Sequence, residues 1–244
     1  MKKLFAIAAM AAMLFACGEK PEGGNNNNNN NNNNGNDEPV FESPITIDGD
    51  FADWAGLDAS KVAVAENAEG SKYGGLKLVK VYADEMYVNV YLEAYEDVEA
   101  GAAYHVNLCF NSDNSELTGG YAGVWTNAGV DYLAQGWIYD GTVYGSYDPG
   151  VYPWIGEVGG DGWNWSTTEG QVDEGNGVAK GAGTVLGYEI QLTREMTPCQ
   201  WEDTFTMGVS LTKAWGNFGV MPNATCTEED PDGLAPQFVV TIDK

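Results

Sequence analysis

Basic residues are scarce in this chain of 244: Lys+Arg total 11 against 36 Asp+Glu, for a formal charge of −25, and His105 is the only histidine. So acidic a surface repels phosphate backbones and anionic head groups, which argues against nucleic acid and against a polybasic membrane patch. One histidine cannot supply a conventional zinc enzyme and a serine triad, and no nucleophile motif surrounds it. The signatures G-x-S-x-G, H-E-x-x-H and C-x-x-C are also missing, so hydrolase-elbow, zincin and thioredoxin chemistry have no anchor. No window after residue 17 repeats apolar residues at i, i+3, i+4, i+7 for three turns, which excludes a helical architecture. With 36 acids a glycosidase pair is not forbidden, yet no carboxylate lies in a hydrolase-like motif.

The N-terminus is an address followed by a tether. Lys2 and Lys3 precede the apolar run 4–16, LFAIAAMAAMLFA, which suits a secretory signal but is too short for a spanning helix of ~20 residues. It ends Leu14-Phe15-Ala16-Cys17 and resembles the lipobox of bacterial lipoproteins, which implies residues 1–17 as a signal and Cys17 as the acylated first mature residue. Removing Lys2 and Lys3 leaves 9 basic against 36 acidic residues, a charge of −27. Glu19 and Glu22 resemble the acidic export signal of Bacteroidetes surface lipoproteins, implying an outer-membrane, cell-surface location. Residues 18–44 include ten consecutive asparagines, Asn25 to Asn34, and no apolar residue before Val40. They cannot form a core and read as a disordered linker reaching roughly 25–30 Å.

Strand patterns dominate the remainder. Residues 76–83 and 86–94, separated by Asp84-Glu85, read as a hairpin, with Met86, Val88, Val90, Leu92 and Ala94 facing a core and the tyrosine set facing a partly wet side. Tyr104, Val106, Leu108 and Phe110 alternate with His105, Asn107, Cys109 and Asn111. Further segments are 130–139, 142–147, 185–192 (Leu186, Tyr188, Ile190 and Leu192 inward), 204–212 and 237–242. Many short strands and 32 glycines predict one all-β domain over 45–244, an antiparallel jelly-roll-like β-sandwich.

Ile45 to Trp54 reads ITIDGDFADW, which resembles the opening of the family-nine carbohydrate-binding modules. Lys80–Leu92, Tyr104–Asp113, Gly187–Arg194 and Phe238–Ile242 are similar to later strands of that family, and Thr118-Gly119-Gly120 with Gly129–Leu133 resembles a pattern of lipoprotein relatives. The resemblance implies a sandwich shared with the DOMON group, whose members include haem and sugar binders, so fold alone does not settle function. Asp48-Gly49-Asp50 reads as a turn, with Trp54 as a core plug.

Aromatics crowd residues 121–165 and return at Trp215. Flanking Gly, Asn and Asp put Trp163, Trp165 and Trp215 on loops as candidate platforms for sugar C–H faces, with Asp161, Asn164 and Asn217 to bond hydroxyls. One pyranose face on one ring buries roughly 50 Å², about 1–1.5 kcal/mol at 25 cal/mol per Å². Non-catalytic binding of a polysaccharide or oligosaccharide at the cell envelope is the expectation. A structural or protein-binding lipoprotein without a sugar site is the alternative, and a carbohydrate-active hydrolase the third reading. Asn111, Asp113 and Glu116 space oxygens as a loose calcium (Ca2+) site would, or as an Asx-rich hairpin loop does. They depart from an EF-hand at Glu116 and Ala122. Among Cys109, Cys199 and Cys226, the favoured bridge joins Cys199 to Cys226, in loop-like sequence.

Overall fold

A computed structural model of the chain describes residues 41–121, 123–127, 129–166, 179–195 and 200–244. The alternation of aliphatic and polar residues folds as short strands in two antiparallel sheets. In chain order these are β1 (Ala63–Glu66), β2 (Leu76–Ala83), β3 (Tyr87–Ala94), β4 (Tyr104–Asn111), β5 (Tyr132–Tyr139), β6 (Gly150–Pro153), β7 (Ala179–Thr184), β8 (Gly187–Thr193), β9 (Thr204–Lys213), β10 (Gly216–Met221) and β11 (Phe238–Thr241). The first sheet runs β1-β2-β3-β8-β7 and the second β10-β9-β4-β5-β6. Long β9 meets β4 along one edge; its other edge is shared by β11 at residues 204–207 and β10 at residues 209–213. Residues 41–244 form one compact unit.

The inward sets meet between the sheets. Val88, Val90, Leu92, Ile190 and Leu192 face Val106, Leu108, Phe110, Phe205, Met207, Val209 and Leu211 in a continuous buried cluster. Dry apolar area of this extent, at ~25 cal/mol per Å², is the main force holding the sheets together.

The outward side of β3 and β8 is drier than its tyrosines and asparagine suggest. Asn89 is fully buried and Tyr91 nearly so, because the segment from Ile45 through helix α1 (Asp53–Gly56) lies across them. Ile45, Trp54, Tyr82 and Tyr91 form a second core there, with Phe51 stacked 4.9 Å from Tyr91. Several polar groups under this cover are paired, although Glu189 Oε2 and Trp54 Nε1 have no hydrogen-bond partner. Gln191 donates to Asn89 Oδ1 at 3.0 Å, and the Glu189 carboxylate accepts from the amides of Asp48 (2.8 Å) and Gly49 (2.7 Å). Gly49 has φ +84°, which explains a glycine in the Asp48-Gly49-Asp50 turn. Residues 41–44, expected within the tether, already contact the sandwich: Ser43 donates to Asp84 at 2.8 Å and Phe41 meets the Tyr87 ring.

Other differences have local causes. Leu186, expected inward, sits exposed at the tip of the two-residue β7–β8 turn, and Val185 takes the core position. Residues 142–147 make only the single bridge Tyr139–Tyr144 instead of a strand. Strands β1, β6, β7 and β10 are short or glycine-rich, and period-two alternation did not reveal them.

Candidate functional site

The outward face of the second sheet is built in rows. Pairing places Trp137, His105 and Thr212 side by side on β5, β4 and β9, with Asn217 of β10 opposite Thr212. Two residues along each strand lie Gln135, Asn107 and Ser210, and two further along Leu133, Cys109 and Gly208. A row of rings thus borders a row of amides and a hydroxyl, which borders a row of apolar and small residues.

The third row is covered. Leu133 and Cys109 pack with Tyr121, Trp125, Val130, Trp165 and Val220 in a separate buried cluster. Gly208 is required beneath it, since a Cβ there would lie 2.2 Å from the Trp125 ring. Trp165 stacks edge-on with Trp154 at 5.0 Å and with Tyr121 at 5.5 Å.

The middle row lies at the bottom of a recess, with Asn107 and Ser210 each only 2% exposed and Gln135 partly exposed. A cavity of about 360 Å³ stands over it, lined by Asn107, Tyr121, Gln135, Trp163, Thr212, Trp215 and Asn217. Its floor is pre-ordered: Gln135 Nε2 donates to Asn107 Oδ1 at 2.9 Å, and Asn107 Nδ2 donates to Ser210 Oγ at 3.0 Å. These bonds fix both amide planes and leave the Gln135 carbonyl oxygen and its second N–H for a ligand. Trp163 is 57% exposed and Trp215 69%. Trp163 rests edge-on against Tyr121 at 5.6 Å.

Trp215 is held up at a cost in backbone strain. It follows Ala214 in the two-residue loop closing β9 and β10, and both have positive φ, +48° and +69°. Such loops favour Asn-Gly, and a bulky residue there stores about 1–3 kcal/mol. Tyr121, which also lines the cavity, has φ +61°. Of the four described non-glycine residues in this region of conformational space, three are therefore on or next to the cavity; the fourth, Asn114, is of a type that tolerates it.

His105 anchors the ring row. Its imidazole lies 3.3 Å centroid-to-centroid from Trp137 and 4.3 Å from Trp215. Burial lowers its pKa from 6.5 to about 4, so the ring is neutral near pH 7. Its Nδ1 faces Thr212 Oγ1 at 3.5 Å and its buried Nε2 has no hydrogen-bond partner. Trp137 is 42% exposed and extends the aromatic rim.

Of the residues expected to bind, Trp163, Trp215 and Asn217 come together on this cavity. Trp165 corrects the expectation: it is only 6% exposed, because the 154–165 hairpin tucks it beneath Trp163 and Tyr121. Asp161 and Asn164 are exposed on the same hairpin but do not line the cavity. Sequence reasoning missed Asn107, Gln135, Thr212 and Tyr121. Their signal was the polar half of the alternation on β4, β5 and β9.

The Asn111–Glu116 loop spends its oxygens internally. Asn111 Oδ1 and Asp113 Oδ1 accept from the Ser115 amide at 2.9 and 3.0 Å, Thr118 donates to Asp113 at 2.9 Å, and Glu116 is exposed. Among the described residues no group of three or more His, Cys, Asp or Glu side chains could hold a metal ion. Cys109 is a buried free thiol whose pKa burial raises. Cys226 is half-buried, and its expected partner Cys199 lies outside the described residues, as do Cys17 and the rest of the signal.

No family model, curated protein or solved structure matches the chain.

Proposed function

We propose that this protein binds glycans without catalysis, at the bacterial cell envelope, through the cavity over Asn107 and Gln135. The observation that carries the reading is the joining of two exposed indoles, Trp163 and Trp215, with a pre-ordered amide floor in one concavity. Sugars need both elements: apolar ring faces for their C–H surfaces and fixed amides for their hydroxyls. Two stacked faces contribute about 2–3 kcal/mol, and a few hydrogen bonds bring the total to a micromolar-to-millimolar site. The groups that line the cavity, indoles, amides and a hydroxyl, are those that sugars bind. The resemblance of residues 45–54 to family-nine carbohydrate-binding modules points the same way. Anchoring through an acylated Cys17, with residues 18–40 as the tether, would present the cavity to extracellular polysaccharide.

Affinity electrophoresis against soluble polysaccharides, comparing the mature chain with Trp163→Ala and Trp215→Ala, tests the binding. Retardation by at least one polysaccharide, weakened tenfold or more in each variant, is expected. Retardation by none, or retardation indifferent to both substitutions, would refute it. Cys17→Ser should move the protein from the membrane fraction to the soluble one.

A second reading has one observation behind it. Leu117, Ile155 and Val158 are exposed beside Trp163 on two loops joined by the Gly159 amide to the Gly119 carbonyl, a surface suited to a protein partner. Binding abolished by Leu117→Ser with Val158→Ser, but not by Trp215→Ala, would favour it.

A further inference from the structure

Resting on that glycan reading, we infer that the cavity selects an uncharged glycan chain and holds more than one sugar unit, laid across the strands over Gln135, Asn107 and Thr212. Charge is the first argument. The lining offers indoles, a phenol, amides and a hydroxyl, and no side chain that is ionised near pH 7. A uronate or sulfate would therefore enter without a cation to pair it, and burying an unpaired anion is strongly unfavourable.

Among the described residues no lysine lines the cavity, and Lys180 sits on β7 of the other sheet. Lys213, next to the rim on β9, is paired with Glu99. Lys61, Lys72, Lys77 and Lys244 are paired with Asp243, Asp232, Glu93 and Asp203. Arg194 donates to the carbonyls of Asp84 and Glu85, and Lys80 lies over the Tyr91 ring on the opposite sheet. The chain's net charge of −25 repels polyanions before they arrive. A cationic glycan would be drawn toward the protein, but the lining supplies no carboxylate to hold it.

Shape is the second argument. The polar lining residues come from β5, β4, β9 and β10 in turn: Gln135, Asn107, Thr212 and Asn217. Four adjacent strands at ~4.8 Å spacing make a floor roughly 14 Å wide, longer than one pyranose ring. Trp215, packed on His105, borders the cavity, as do Trp163 and Tyr121, which pack against each other. A lining drawn from four adjacent strands, with three aromatic rings among it, fits a chain lying across the strands, its hydroxyls turned to the amides.

The test is calorimetric titration of the mature chain with cello-, xylo-, manno- and malto-oligosaccharides of one to six units. Polygalacturonate, heparin and chitosan are titrated alongside, all at 20 and 300 mM salt. Expected is a neutral series whose affinity rises at least tenfold from one unit to three or four and then levels off. That affinity should be unchanged by salt, at least tenfold weaker in Asn217→Ala and Gln135→Leu, and should have no counterpart for the charged polymers. Circular dichroism melting confirms that both variants are folded. Equal affinity for one unit and six overturns the chain-length claim. Tight, Trp215-dependent binding of a charged polymer overturns the uncharged claim, and either result leaves the glycan reading standing. If no saccharide of any class binds, the glycan reading itself falls.

Discussion

Both sheets carry a row of polar residues on their outward faces, and the two rows have opposite fates. On the first sheet Asn89, Gln191 and Glu189 are roofed by Ile45, Trp54 and Phe51; Gln191 bonds Asn89 and one Glu189 oxygen takes two backbone amides, while Glu189 Oε2 and Trp54 Nε1 are left without a partner. On the second sheet Gln135, Asn107 and Ser210 are tied only to one another, and the roof of Trp125 and Trp165 stops one row short. The first row is closed over by the chain itself; the second, though Asn107 and Ser210 are buried too, lies beneath a cavity edged by two indoles. The same residue types thus stabilise one face and equip the other for a ligand.

The largest effect that separates the faces should come from their roofs. Trp54→Ala is expected to cost about 3–5 kcal/mol of stability while leaving saccharide affinity unchanged, as chemical denaturation and calorimetry would show. Trp54 controlling affinity would erase the distinction. Gly208→Ala drives a methyl into the Trp125 ring and should cost about 1–3 kcal/mol. Because it lifts the roof beside the row beneath the cavity, it should also weaken binding.

A smaller effect concerns the strained turn. Ala214→Gly relieves a φ of +48° and should stabilise the fold by about 0.5–1 kcal/mol, read as a rise in denaturation midpoint. Trp215→Ala, by contrast, should change stability little while weakening binding tenfold. If that loop is strained for function, stability and affinity respond to different residues within it.

The smallest effect is on pH dependence. His105 has a pKa lowered from 6.5 to about 4 by burial. The unfolded chain therefore binds a proton before the folded one does. The neutral ring's contribution is complete above about pH 6.5 and is lost as pH falls from there through about 4. His105→Phe should remove this component, so the difference in melting temperature between wild type and variant should change across that window. Carboxylate titration, common to both, cancels in the comparison.

The sandwich was legible because long strands state their faces: β2, β3, β4, β8 and β9 alternate cleanly, and Phe205, Met207, Val209 and Leu211 point where their spacing says. Short glycine-bearing strands such as β7 and β10 carry too few side chains to show a period. The wet side assigned to Asn89 and Tyr91 was wrong because alternation distinguishes two faces without telling what covers them. The same limit applied to the site. Trp163 and Trp215 stand out by their Gly and Asn neighbours, but Trp165 has such neighbours too and is buried by a hairpin fold that local composition cannot reveal. Asn107 and Gln135 lie far apart in sequence, and only strand register makes them one floor.

The most direct measurement follows the eight indole N–H resonances of the ¹⁵N-labelled mature chain during titration with a neutral oligosaccharide. Saturable shifts are expected for Trp163 and Trp215, with smaller ones for Trp137, while Trp54, Trp125 and Trp201 stay still. Shifts confined to the buried indoles, or none at any saccharide concentration, would contradict glycan binding at this cavity.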